Sequence, residues 1–370
     1  MKEFEKIHYK HYKKTANIYN APGVVKLMGD YINHTGGKHL SCFINSGVVV
    51  SVNKSLERKF NFFVNDESTV VNIFYDNVFI SQENIYVHLT SLILNEFIYN
   101  FELIVGVEGI VHVESEHTGI DTITSYIIAV TKLLNDFNLL NLSEEIVRKI
   151  CHNVYNKFTG ETTPYNLSVF NMKRKHVSLF DTRAGICKQT NVNFEDFSLL
   201  IAYDKTIIED TEFSIKERMN ESVSAHMIVD SKFKHEFLSD FTIHELNECK
   251  DDVRDFEFKR IRHAITENIR VDDLFESLEK DDIVKTGLLL SNSEISLLQD
   301  YEMVTKKQDT LCNLVSRYNA LGAKMISSKY NSSVVVLVKD LQIPTLIKQV
   351  STEYKNRFGN EIEFIKTNIY

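Results

Sequence analysis

Residues Ala21–Gly37 read APGVVKLMGDYINHTGG. The stretch is punctuated by glycine and holds only three side chains able to carry charge, Lys26, Asp30 and His34. Glycine lets a backbone turn sharply and approach another group closely, so the segment reads as a loop shaped around a ligand. On its C-terminal side GVVVSV (Gly47–Val52), FNFFVN (Phe60–Asn65) and EGIVHVE (Glu108–Glu114) have the β-branched, partly alternating character of strands. From Ile120 the residues Ile123, Ile127, Val130, Leu134 and Phe137 fall at helical spacing, which predicts an amphipathic helix burying one face. A second helix is predicted from Ser143, an N-cap residue type, through Ile146, Ile150 and Val154 to Phe158. Two short strands, HVSLFD and FSLLIAY, precede mainly helical sequence, of which KRIRHAITENIRVDDLFESLEKDD is the longest piece. The strand SVVVLVKD (Ser333–Asp340) follows.

Bulk composition narrows the function classes. A chain of 370 residues exceeds what one hydrophobic core usually covers, so two domains are expected, 1–175 and 176–370. With 42 basic against 51 acidic residues the net charge is -9, and no long basic run appears beyond the short HYKHYKK, His8–Lys14. Phosphate contacts need clustered Lys and Arg, so nucleic acid is not an expected partner. Five scattered cysteines, none in a CxxC pair, point to reduced thiols in the cytoplasm. The start, MKEFEKIHYKHYKK, is too charged for a signal peptide, and no apolar run approaches the roughly 20 residues that cross a bilayer. A soluble cytoplasmic protein with no membrane partner is the expectation.

The opening stretch resembles the first motif of galactokinases, APGRVNLIGEHTDYNGG, within the GHMP superfamily of small-molecule kinases. Three further segments are similar to galactokinase segments in the same order and at similar spacing. TEFSIKERMNES (Thr211–Ser222) resembles SEYNKRRAEC, RIRHAITENIRV (Arg260–Val271) resembles RARHVVTENQRV, and SNSEISLLQDYEMV (Ser291–Val304) resembles MNESHASLRDDYEVS. The resemblance implies an α+β, two-domain GHMP-kinase-like fold with a ligand cleft between the domains.

The chemistry-bearing positions depart from that pattern. The family's phosphate loop, PLGAGLSSSAS, wraps a nucleotide at a helix N-terminus, where free N–H groups and the positive end of the helix favour an anion. Its counterpart is SEHTGIDTITS, Ser115–Ser125, in which Gly119 and Ile120 match the Gly-Leu pair. His117 stands for a glycine, Ser115 for a proline, and Asp121 and Ile123 for serines; Thr122 also belongs to this counterpart, and Asp121 is expected to cap the helix itself. His112, Glu114, Glu116 and His117 also read as a polar strand edge; no metal site is assigned. The family's transition-state arginine corresponds to Val24, and its catalytic aspartate to Leu167, or to Asn166 if the alignment slips by one. Neither replacement accepts a proton near neutral pH. The third motif, RMTGGGFGGC, appears as KMISSKYNSS, Lys324–Ser333, stripped of its glycines. Sugar contacts correspond to Asp30, Tyr31 and Asn33, and a family tyrosine near the sugar to Phe213.

The resulting expectation is a galactokinase-family pseudokinase, with no catalytic residue and no cofactor, acting in sugar binding, regulation or beside a partner subunit. A small sugar and a protein are the candidate partners. One alternative is an active ATP-dependent sugar 1-kinase with displaced catalytic groups, which alone would need Mg-ATP. The other is an interaction protein without a small-molecule ligand.

Overall fold

The computed structural model describes residues 2–65, 69–82, 84–114, 118–159, 173–181, 183–207, 211–326, 331–367 and 369. The chain divides into two compact units: Met1–Val24, Ser46–Glu116 and Asp121–Phe170 form the first, and Val25–Asn45, His117–Ile120 and Asn171–Tyr370 the second. The expected boundary at 175 treated each domain as one continuous stretch. The chain instead lends Val25–Asn45 and His117–Ile120 to the second unit, the first of these because strands β1 (Asn17–Met28) and β2 (His39–Ser55) each run from one unit into the other.

In the first unit β2 pairs through Val48–Ser55 with β5 (Gly106–Val113), antiparallel. Next come β3 (Lys59–Val64), parallel to β5, and β4 (Thr69–Phe74), antiparallel to β3. Alternation puts Val48, Val50, Val52, Phe60, Phe62, Val107 and Val111 on one face, where they share a core with helices α2 (Ile85–Asn100), α3 (Thr122–Phe137) and α4 (Glu144–Thr159). The opposite face carries Ser51, Asn53 and Phe63 and is contacted by helix α1 (Lys2–Tyr12). Asn84 caps α2 by accepting from Tyr86 and Val87 N–H, and Ser143 Oγ accepts from Ile146 N–H ahead of α4.

The second unit is built on an antiparallel sheet in the order β11-β8-β10-β9, where β8 is Phe197–Ile207, β9 Gly322–Met325, β10 Asn331–Lys339 and β11 Glu363–Thr367. Apolar runs that look unbroken in sequence are divided here by the strand pleat. Leu199, Ile201, Tyr203, Val335 and Leu337 pack with helices α7 (Asp255–Glu279) and α8 (Ile283–Ser296). Leu200, Ala202, Val334, Val336 and Val338 pack with α9 (Lys306–Arg317) and α10 (Ile343–Phe358). A sheet covered on both faces needs apolar residues at successive positions. Helices α5 (Thr211–Phe233) and α6 (Ile243–Glu248) add a smaller core with Ile32, Ala225, Val229 and Ile261. In the same unit β6 (His176–Asp181) pairs with His39–Cys42 of β2 and with β7 (Ile186–Asn191).

One reading of the opening stretch is corrected. Ala21–Met28 is not loop but the second half of β1, and the loop is confined to Gly29–Gly37. Val24, Val25, Leu27 and Met28 are all buried, so the strand lacks the polar alternation that would have marked it. The five cysteine thiols are free, and no described helix is long and apolar enough to cross a membrane.

Candidate functional site

The loop after β1 is fixed by its glycines. Gly29 has φ +91, and a Cβ there would lie 2.4 Å from the Lys38 carbonyl oxygen; its N–H donates to Glu267 Oε1 at 3.0 Å. Gly36, at φ +77, leaves no room for a Cβ against the Phe237 ring. Between them Asn33–Thr35 forms a 3-10 turn that Thr35 closes by donating to Ile32 O, 2.8 Å.

Helix α7 holds this loop from below. Arg260, His263, Glu267 and Arg270 recur at helical spacing along it, and the first three are buried. His263 Nε2 donates to the Asp30 carbonyl at 3.0 Å, and its Nδ1 lies 2.9 Å from the Ser296 hydroxyl, which also reaches Asp300 Oδ2 at 3.3 Å. Burial is the main influence on this ring and pushes its pKa down. Burial by itself raises the Glu267 pKa, but Arg270, His263, Lys324 and the Ser293 hydroxyl outweigh it and hold the carboxyl at about 2. Arg260, wholly buried, donates to Glu221, Glu302 and the Asp300 carbonyl.

The sequence-predicted sugar residues fall around this frame. Asp30 is 1% exposed, and its carboxylate accepts from the ammonium of Lys324, itself 0% exposed. Lys324 donates again to Met325 O at 3.1 Å. Tyr31, in the left-handed region at φ +58, stacks on Tyr301 with ring centroids 4.8 Å apart and planes within 12°. Tyr301 ends a π-helical turn, Leu297–Tyr301, an irregularity that concentrates at functional sites. Asn33 Oδ1 and His34 Nε2 are buried with no hydrogen-bond partner among the described residues. Burial, with the nearby His263, pushes His34 down to about 4. Gly119 also belongs to this unit, at φ +82, with Ile326 Cγ2 2.9 Å from where a Cβ would stand. Lys324, His263, Glu267 and Tyr301 were not singled out by sequence reasoning, although all lie in segments resembling galactokinases. Their roles depend on hydrogen bonds, an ion pair and a ring stack made with the distant Gly29–Tyr31 turn, which no local pattern displays.

In the first unit, Asp121 caps α3. Its Oδ1 accepts from Thr124 N–H at 2.9 Å and its Oδ2 from the Thr124 hydroxyl at 2.6 Å. Thr122 is the first helical residue. Val24 and Asp121 exchange backbone hydrogen bonds, Asp121 N to Val24 O being 2.9 Å, and Ser125 Oγ donates to Pro22 O at 2.6 Å. The described residues here do not fit a magnesium-bound triphosphate. A phosphate needs open N–H groups and uncompensated positive charge at a helix start, whereas this one carries its own carboxylate and an aliphatic Val24. His117, Leu167 and Asn166 lie outside the described residues, as do Glu116 and the side chain of Phe213. Of the remaining polar strand-edge residues, His112 lies against the Phe4 ring and Glu114 accepts from Gly47 N–H.

Comparison with known proteins agrees with this frame. A family signature described as the galactokinase galactose-binding signature matches residues 3–54. A galactokinase of Clostridium perfringens is 24% identical over 365 residues, covering 96% of this chain and 94% of its own. The crystal structure of Lactococcus lactis galactokinase complexed with galactose superposes with a TM-score of 0.87 at 19% identity, over 100% of this chain and 97% of the other. The Methanococcus jannaschii mevalonate kinase gives 0.70 at 16% identity, over 97% and 99%. The architecture is an α+β fold shared with these solved galactokinase and mevalonate kinase structures. In sequence the chain is similar to galactokinases over nearly its whole length.

Proposed function

We propose that this protein is a galactokinase-family member that has given up efficient phosphoryl transfer and serves as a carbohydrate-responsive binding or regulatory protein. The observation that carries the reading is the Asp121 cap: a carboxylate bonded to Thr124 N–H occupies the electrostatic niche at the start of α3 that a phosphate would use. Val24, in the position of the family's arginine, adds no compensating cation. Phosphoryl transfer rests almost wholly on positioning and charge stabilisation, so loss of one electrostatic donor costs ~10²- to 10³-fold. On the sugar side, the Asp30 carboxylate is already engaged by Lys324. Tyr31, Asn33 and His34 remain polar, and the buried unpartnered atoms of Asn33 and His34 suit a polyhydroxylated ligand.

A second reading, an active ATP-dependent sugar 1-kinase that uses Mg-ATP, is favoured by the relatives named galactokinase that match nearly the whole chain. Calorimetric titration with Mg-ATP, beside a coupled assay with ATP and a panel of hexoses, separates the two. The expected outcome is no heat of nucleotide binding and no turnover above background, with a raised melting midpoint in at least one sugar. Turnover of galactose by the purified chain would replace the first reading with the second.

A further inference from the structure

A cavity of about 420 Å3 beside Arg58, Asp76 and Tyr99 is lined by polar groups that are largely spent internally. Arg58 bonds Leu103 O and pairs with Asp76, and Asn100 bonds Glu96 O. A stronger signal lies on the opposite face of the first unit's sheet from its core. There α1 is held by aromatic and imidazole contacts: Phe4 against His112 (4.6 Å), His11 against Phe63 (5.1 Å), and the Tyr12 hydroxyl donating to Gly109 O (3.1 Å). At the centre, His8 is 0% exposed between two residues of β2. Its Nδ1 lies 3.1 Å from Ser51 Oγ and its Nε2 2.5 Å from Asn53 Nδ2.

These partners fix the proton count. The Ser51 hydroxyl hydrogen points to Ile110 O at 3.3 Å, so Ser51 Oγ accepts from His8 Nδ1–H. Nε2, facing an amide NH2, must be the acceptor. His8 is therefore neutral, and a second proton would set N–H against N–H in a buried space. We propose that α1 is a strap on the first unit that is released by acid, with His8 as its latch.

The net direction is the same. Burial is the main influence and lowers the His8 pKa; a hydrogen bond to the Ser51 backbone and the charge of Glu108 on β5 work the other way, and His11 and Lys14, on and just beyond its own helix, lower it again. Glu108 is also tied to Lys14 at 2.8 Å. Because the undocked helix binds the extra proton more readily, docking is complete above the ordinary histidine pKa of about 6.5 and weakens as pH falls below it, by up to about tenfold per pH unit. Lys13, at φ +53, lies just past the helix end, where the chain turns toward β1. Release would uncover Val49 and Ile110, which share the face of Ser51 and lie in one sheet with exposed Val70 and Phe74.

Pulsed hydrogen–deuterium exchange on the full chain at pH 7.5 and 5.5, with pulse lengths scaled to the intrinsic rates, tests this. Protection across residues 2–12 should fall severalfold to tenfold at the lower pH while α3 is unchanged. His8→Gln should abolish that response, and Asn53→Asp, which offers the imidazolium an acceptor, should move it to lower pH. An equal acid response in wild type and His8→Gln, a parallel loss in α3, or no protection of α1 at either pH in the wild type overturns the proposal. Should His8→Gln leave α1 open at both pH values, Asn53→Asp decides, and a response identical to wild type counts against the latch.

Discussion

Asp30 and Lys324 lie 294 residues apart in sequence and meet as a buried ion pair with almost no solvent contact. Removing one charge leaves the other desolvated, so Lys324→Met should destabilise the second unit by about 3–5 kcal/mol. Lys324→Met with Asp30→Leu should recover most of that loss, because an apolar pair avoids the desolvation cost. Urea denaturation of the two single variants and the double variant measures the coupling; additive losses would show that the pair does not act as a unit. Gly29→Ala tests the loop by another route. At φ +91, with the Lys38 carbonyl 2.4 Å from the new Cβ, it should cost at least 1–3 kcal/mol, read in the same titration.

At the level of elements, helix α3 and helix α7 differ in how openly their sequences declare their roles. The apolar spacing from Ile123 to Phe137 and the Asp121 cap were both legible, and the structure places α3 at Thr122–Phe137 with Asp121 as its N-cap. Asp121→Ala should lower the melting midpoint of the first unit by the equivalent of about 0.5–2 kcal/mol. Asp121→Ser combined with Val24→Arg should instead raise affinity for Mg-ATP if the self-capping carboxylate is what excludes the phosphate, measured by titration against wild type. For α7, length and helical character were readable, but not the fact that its buried polar residues hold the Gly29–Asp30 turn. Those residues look like ordinary charged helix positions until the turn is brought against them by β1. Strand β1 itself was misread over Ala21–Met28 because both its faces are covered, which removes the alternation by which a strand is recognised.

Over the whole molecule, the buried ionisable groups set two acid transitions. His34, lowered to about 4, is neutral when folded; the unfolded chain binds the proton first, so the contribution is full above about 6.5 and is lost as pH falls from there toward 4. Glu267, lowered to about 2, contributes fully above about 4.3 and loses its share as pH falls toward 2. Denaturant midpoints measured at pH 7.5, 5 and 3 should therefore fall in two stages, with His34→Gln reducing the first, to which His8, His39 and His263, also lowered by burial, contribute as well, and Glu267→Gln reducing the second. A single transition below pH 4 in the wild type would show that His34 is not held neutral.

By itself the amino-acid sequence determined the likeness to galactokinases, the mixed α+β class, the strands and helices with clean periodicity, and the residue types at Val24 and Asp121. These are local properties: spacing, propensity and motif order survive without any knowledge of the fold. Only the tertiary structure decided that Val25–Asn45 joins the second unit, that the Asp30 carboxylate is satisfied by Lys324, and that His8 of α1 is buried against Ser51 and Asn53. Each depends on which groups lose water together, and desolvation is a property of the packed chain that neighbouring residues in sequence cannot specify.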